Sequence, residues 1–192
     1  RVAEYRDKAT GVHIVRMSYY AAALAEKIGF SKDDCELVLV ASSLHDIGKV
    51  AIPDSILLKN EGLTDEEREV MKRHTAIGAS ILSGSNTKVM QMACEIALTH
   101  HEKWNGKGYP QGLKEEKIPV LGRICALCDV FDALISDRPY KKAWPLESAV
   151  EEIRKESGAS FAPGLIDNFL AILPEIRQIK EKYDTLRSEN NA

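Results

Sequence analysis

This 192-residue chain has only five histidines, and each falls where it can serve one buried metal site. His45 runs directly into Asp46 in LHDIGK, and His100 and His101 are adjacent in HHEKWNGKGYP. His13 and His74 each stand alone on a segment with helical spacing. Asp129, an acid inside the apolar run RICALCDVFDALI, adds a carboxylate, so that five imidazoles plus Asp46 and Asp129 give seven N and O donors. Neutral imidazole with carboxylate suits borderline divalent ions such as iron, manganese, zinc or nickel. A single histidine on an apolar face is usually a satisfied core residue; two adjacent ligand pairs in an otherwise histidine-free chain argue against that reading here.

The acids raise the same question from the side of cost. An ionised carboxylate in so apolar a segment is expensive unless a metal or a cation compensates. One ion shared by His45, Asp46 and Asp129 answers the cost of both acids, and the Asp46 carboxylate can bridge to a second ion. A buried salt bridge or a helix-cap contact would also account for Asp129. Asp132, on the same buried stretch, needs an explanation of its own. Lys49, one residue past Gly48, reads equally as an exposed lysine or as a cation beside a phosphate.

Helical periodicity supplies the elements that must hold these residues. Ile14, Met17, Ala21, Leu24 and Ile28 recur at three- and four-residue steps, and Gly29 ends that helix. Asp33 is the expected cap of a buried helix through CELVLVASSLHD, with His45 and Asp46 on its last turn. Asp54 to Lys59 forms a short segment. Thr64 and Glu67 make a capping box that opens the helix carrying His74. A helix from Thr87 to about His101 delivers the second histidine pair. Trp104 to Pro119 is a long Gly/Pro-rich loop, of a length that is usually functional inside a helical domain. Helices then follow over Pro119–Leu134, Leu146–Glu156, Pro163–Leu173 and Pro174 to about Ser188, the last highly charged. No strand pattern or internal repeat is visible, so the expected fold is all-α: a helical bundle in residues 1–173, with a charged C-terminal helix in 174–192 as part of the domain or a tail.

A net charge of −3 and a pI near 6.0 leave no footprint for a nucleic-acid polymer. No run approaches the roughly 18 apolar residues of a membrane span. Four cysteines in a chain of this size make no disulfide framework and fit a reducing compartment. Cys125 and Cys128 form a lone C-x-x-C inside an apolar helix and read as core packing.

Taken in order, SSLHDIGKVAIPDSILLK, HTAIGASIL, HHEKWNGKGYPQGL and CDVFDALISDRPYKKA resemble the HD-GYP subfamily of HD-superfamily phosphohydrolases, over about residues 1–173. The resemblance implies a helical bundle around a centre of two or three metal ions, commonly iron or manganese, and hydrolysis of cyclic di-GMP or a related cyclic dinucleotide to linear pGpG, or on to GMP. It further implies that His13, His45, Asp46 and Asp129 hold one ion, with Asp46 bridging to a second completed by His74, His100 and His101. Lys49 matches a lysine at the scissile phosphate, Arg138 and Lys141 a pair holding the dinucleotide, and Tyr109 a tyrosine contacting the ligand. In such a centre a shared water loses its proton near neutral pH and attacks phosphorus in line, while the cations offset the charge that develops. Asp46 and Lys49 are therefore the expected catalytic residues. Bacterial cytoplasm and an N-terminal receiver or sensor domain are the expected setting.

Two departures from that pattern matter. Ala9 stands where the family has a glutamate one turn before His13, which points to two ions rather than three and to pGpG as the end product. Asn105 replaces an aspartate in the loop, which alters its hydrogen bonding but not the metal ligands. Tyr109 could equally be a loop tyrosine that packs on the domain. The alternatives to a cyclic di-GMP phosphodiesterase are another HD-type nucleotide phosphohydrolase and a catalytically weak cyclic-dinucleotide receptor or interaction module.

Overall fold

A computed structural model describes residues 11–137 and 142–190, the side chains of 187–190 excepted. Its elements are helical: α1 (Gly11–Lys27), α2 (Lys32–Ser42), a 3₁₀ turn (Ile47–Ala51), α3 (Asp54–Leu57), α4 (Asp65–Lys72), α5 (His74–Leu82), α6 (Lys88–Thr99), a second 3₁₀ turn (Glu115–Lys117), α7 (Val120–Leu134), α8 (Leu146–Lys155), α9 (Pro163–Ala171) and α10 (Leu173–Asn190). Among the described residues the only β pairings are isolated bridges, Asn105 with Lys114 and Ser157 with Phe161. The all-α expectation holds.

The apolar stripe of α1 fixes the centre. Met17, Tyr20, Ala21 and Leu24 are fully buried, and α1 packs on α2, α7 and α10, while α6 packs on α2, α5 and α7. Val38, Ile96, Ile124, Leu127, Phe131 and Phe169 complete the core, with the Phe131 and Phe169 rings edge to face at 4.8 Å. Each such side chain taken from water contributes about 1.5–3 kcal/mol. Gly29 ends α1 at φ +100°, where a side chain would be strained, and its successor returns a hydrogen bond from Phe30 N–H to the Ala25 carbonyl. The Thr64–Glu67 capping box has both of its hydrogen bonds.

Three local expectations need correction. The N-cap of α2 is Ser31, whose hydroxyl accepts from the Asp34 N–H at 3.1 Å, and Asp33 lies in the first turn instead. The same helix ends at Ser42, so His45 and Asp46 occupy the turn beyond it. The cause is local: the Ser42 carbonyl accepts both the backbone N–H and the ring Nδ1–H of His45, at 3.3 and 2.9 Å, and the chain tightens into 3₁₀ bonds. The helix expected to carry His74 is two helices broken at Arg73. There His74 Nδ1 takes the Met71 carbonyl at 2.7 Å and the Thr75 hydroxyl takes that of Lys72 at 3.0 Å. Those carbonyls would otherwise have continued the helix.

Candidate metal centre

Three candidate ligands use one device. The last carbonyls of a helix have spare acceptor capacity, and His45, His74 and His100 each stand just past a helix end and donate Nδ1–H into its last turn. The acceptors are Ser42 for His45, Met71 for His74, and Ile96 and Ala97 for His100, the last two at 3.0 and 3.1 Å. A carbonyl can only accept, so Nδ1 must carry the proton and neutral Nε2 keeps its lone pair. All three Nε2 atoms are buried with no hydrogen-bond partner, as is Asp46 Oδ1.

These bare atoms converge on one carboxylate. Asp46 Oδ1 lies 3.2 Å from His74 Nε2 and 3.6 Å from His100 Nε2, while Oδ2 lies 3.3 Å from His45 Nε2. Lone pair facing lone pair at such distances is repulsive unless a cation or a proton stands between them. The ligand atoms fall into two groups, Asp46 with His74, His100 and His101, and His13 with His45 and Asp129, each with all its atoms within 4.8 Å of one another. Asp46 thus turns one oxygen to each group. The chemistry of this donor set fits two divalent ions, and both expected ligand groups are brought together.

Electrostatics agree with that reading. Burial, reinforced by the charges of His100 and His74, holds the His101 pKa well below the ordinary histidine range, which leaves the neutral ring a metal requires. Burial opposes ionising Asp46, but the charges of His45 and Lys49 win and hold its carboxyl well below the usual range. His45 and His13 shift the other way: burial disfavours charge on both, yet the Asp46 carboxylate raises the pKa of His45, and hydrogen bonds to Asp129 and Asp132 raise that of His13 to about 9. His13 Nε2 and Asp129 Oδ1 lie 3.1 Å apart, across the place a metal would take.

Asp132 is the residue behind the candidate site that sequence reasoning left unexplained. Its Oδ2 accepts Nδ1–H of His13 at 2.7 Å, and Arg16 forks onto both its oxygens through Nε and Nη2, each at 2.8 Å. The Ser136 hydroxyl donates to the same Oδ2 at 3.1 Å. A carboxylate behind a ligand histidine fixes its tautomer and raises its basicity. Two matched three-residue steps carried the signal, Asp129 to Asp132 on α7 and His13 to Arg16 on α1, since each step returns to the same helix face.

The Gly/Pro loop folds back over the second group. Buried Glu102 accepts the backbone N–H groups of Gln111 and Leu113 at 2.7 and 2.9 Å, and the Tyr109 N–H reaches the His101 carbonyl at 3.1 Å. This lays the Tyr109 ring on that of His101, centroids 4.7 Å apart and 24° from parallel. Asn105, in the loop's departed position, caps a tight turn by accepting from the Lys107 N–H at 2.9 Å. Lys49 Nζ lies 2.7 Å from Asp46 Oδ2, which puts the cation at the carboxylate rather than in solvent. Arg138 and Lys141, and Ala9 with its neighbours, lie outside the described residues. Cys125 and Cys128 are buried free thiols in the core, as expected, and no helix of the described residues is long and apolar enough to cross a membrane.

The sequence profile of the HD domain family matches residues 2–165. A cyclic di-GMP phosphodiesterase of Thermotoga maritima is 48% identical over 191 residues, which cover 100% of this chain and 52% of that protein. The cyclic di-GMP phosphodiesterase response regulator RpfG of Xanthomonas campestris pv. campestris is 45% identical over 185 residues, 96% of this chain and 49% of that one. The chain therefore spans about half the length of these curated relatives. Among solved structures, an HDG"Y"P protein from Bdellovibrio bacteriovorus shares the fold, with a TM-score of 0.68 at 23% identity over 87% of this chain and 53% of that one. With the profile across most of its length and its HD, HHE and GYP segments in order, the chain belongs to the HD domain family and, within it, to the HD-GYP subfamily.

Proposed function

We propose that this chain is a metal-dependent phosphodiesterase that hydrolyses cyclic di-GMP to linear pGpG. One observation carries the proposal: the Asp46 carboxylate divides its two oxygens between two sets of buried, lone-pair-bearing imidazoles. Two divalent ions held there, iron or manganese in the native protein and zinc or nickel in some purified samples, supply an acidified water and Lewis acidity toward a phosphodiester. His13, His45, Asp46 and Asp129 would hold one ion, and Asp46 with His74, His100 and His101 the other.

The remaining roles follow from position and charge. Lys49, at 2.7 Å from Asp46 Oδ2, offers a cation to the non-bridging oxygens of a phosphate at the centre. Tyr109 is a binding residue rather than a proton donor, because burial pushes its hydroxyl above the ordinary tyrosine range. Arg138 and Lys141 are assigned to the dinucleotide's phosphates on their sequence positions. The free thiols of all four cysteines support the cytoplasm as the working compartment. A receiver or sensor domain on the N-terminal side belongs to the same proposal, supported by the response regulator among the relatives.

The test is anaerobic reconstitution with Fe²⁺ or Mn²⁺, followed by chromatography of the products formed from cyclic di-GMP. Accumulation of pGpG is the expected result. Tight binding without turnover in every reduced-metal preparation would make the domain a receptor, and turnover of nucleoside triphosphates in its place would make it another kind of HD hydrolase.

A further inference from the structure

The C-terminal helix lies beyond the stretch that matches the HD domain profile, which ends at residue 165, yet it reaches the back of the metal centre. It packs along α1, with Ile176 buried and Tyr183 against Tyr19 at 5.2 Å between ring centroids. From it Asp184 Oδ1 accepts Nη1–H of Arg16 at 2.5 Å. Arg16 is only 3% exposed, so this contact is made to a guanidinium inside the fold. Lys180, one turn earlier on α10, donates to the other oxygen of Asp184.

We propose that Asp184 is a positioning residue through which α10 sets the His13–His45–Asp129 half of the metal centre. A guanidinium is a rigid planar fork, so its groups cannot be aimed independently. With Nη1 fixed on Asp184, the plane that presents Nε and Nη2 to Asp132 is fixed as well. Asp132 in turn holds Nδ1–H of His13 and so aims Nε2 at Asp129. The relay runs from α10 through α1 and α7 back to a ligand on α1. In the other group, Asp46 with His74, His100 and His101, the rings of His74 and His100 are anchored on backbone carbonyls rather than on Asp132 or Arg16. The coupling is therefore selective for one ion.

This inference rests on the metal-centre assignment, and its test separates the two. The full chain, free of metal, is titrated with Mn²⁺ by calorimetry and by competition with a chelator, as wild type, Asp184→Asn, Asp184→Glu and the helix control Glu181→Gln. Losses behind a ligand histidine typically reach 10- to 100-fold. Asp184 stands one link further out and is 40% exposed, so the expected loss is about three- to tenfold in one Mn²⁺ equivalent. The second equivalent stays unchanged, Asp184→Glu recovers most of the loss, and Glu181→Gln binds as wild type does. Added to Asp129→Ala, which removes the dependent half, Asp184→Asn should cost nothing more. Wild-type protein that takes up no Mn²⁺ would overturn the metal-centre assignment together with the relay. Two normal wild-type equivalents with both affinities unchanged in Asp184→Asn, both falling in parallel, or an additive loss in the Asp129→Ala background would overturn the relay alone.

Discussion

Gly48 is a tight point between the turn that follows Asp46 and the helix that His74 opens, and Gly48→Ala turns that tightness into a measurable displacement. A methyl group built on Gly48 would lie 1.9 Å from the His74 carbonyl oxygen, 2.5 Å from the Gly78 nitrogen and 2.9 Å from the His74 carbonyl carbon. Every one of these is backbone, so no side chain can rotate away. Ordinary contact begins near 3.4 Å, so the 3₁₀ turn and the start of α5 must separate by about 1.5 Å, the difference between 3.4 and 1.9. Asp46 stands directly before that turn and His74 opens α5, and their ligand atoms are 3.2 Å apart. A binding constellation tolerates about 0.5 Å of error, so a shift three times that size takes His74 away from the ion it would share with Asp46. Overpacking of this kind costs about 1–3 kcal/mol of stability, to be read by urea denaturation in excess chelator. Metal titration should show one of two equivalents weakened at least tenfold, and hydrolysis should fall by roughly a hundredfold, the usual consequence of a 1 Å misplacement. A Gly48→Ala protein with the wild-type denaturation midpoint and two tightly held ions would refute this reasoning.

Asp132→Ala leaves the Arg16 guanidinium buried beside a lost partner and frees His13 to turn, so stability should drop by about 3–5 kcal/mol and affinity for one ion by about 10- to 100-fold; unchanged metal binding would count against its role. His13, raised to about 9 from 6.5 in the metal-free fold, contributes stability that is complete below pH 6.5 and lost as pH climbs through about 9. Metal must displace that proton, so apparent affinity should rise about tenfold per pH unit between 7 and 9 with measurable proton release, and a flat profile would contradict the assignment. Glu102→Ala strips the partners from two backbone N–H groups, each charged hydrogen bond contributing about 1.5–3 kcal/mol, and should raise KM for cyclic di-GMP far more than it lowers kcat as Tyr109 loses its seat; the opposite split would argue against a binding role for the loop. Position 9 offers no carboxylate, so metal-to-protein ratios should stop at two and supplied pGpG should persist, whereas Ala9→Glu should recruit a third ion; three ions in the unmodified chain would disprove this.

Sequence reasoning succeeded where a single helix carried the information. The stripe of Met17, Ala21 and Leu24, the Thr64–Glu67 box and the stop at Gly29 are all set by residues three or four positions apart, and periodicity reads those distances directly. The candidate ligands were legible for a different reason. Histidine and buried aspartate are costly in an apolar interior, so their presence demanded a compensating charge wherever the chain happened to fold. What stayed hidden depended on partners far apart in sequence. Asp132 meets His13 across 119 positions and Arg16 across 116, and no local pattern encodes which of two acids on α7 will face the metal and which will face the arginine.

The misplaced helix ends near His45 and His74 have a common physical origin that ties fold to function. Propensity predicts helix through both histidines, because nothing in CELVLVASSLHD or in the run before HTAIGASIL breaks it. The break comes from the imidazole itself. Its Nδ1–H competes for the same carbonyl that the next backbone N–H would have used, and wins because the ring cannot remain buried with an unpaired donor. Helix termination and tautomer selection are then one event: the bond that ends α2 at Ser42 also strips the proton from His45 Nε2 and aims the lone pair inward. The Met71 carbonyl serves His74 in the same way, and for His100 the ring shares the Ile96 carbonyl with its own backbone N–H and also reaches Ala97. His13, on α1, gives its Nδ1–H to the Asp132 carboxylate rather than to a carbonyl at a helix end. Asp132, held by Arg16 and through it by the α10 contact, thus does for His13 what a helix-end carbonyl does for His45, His74 and His100.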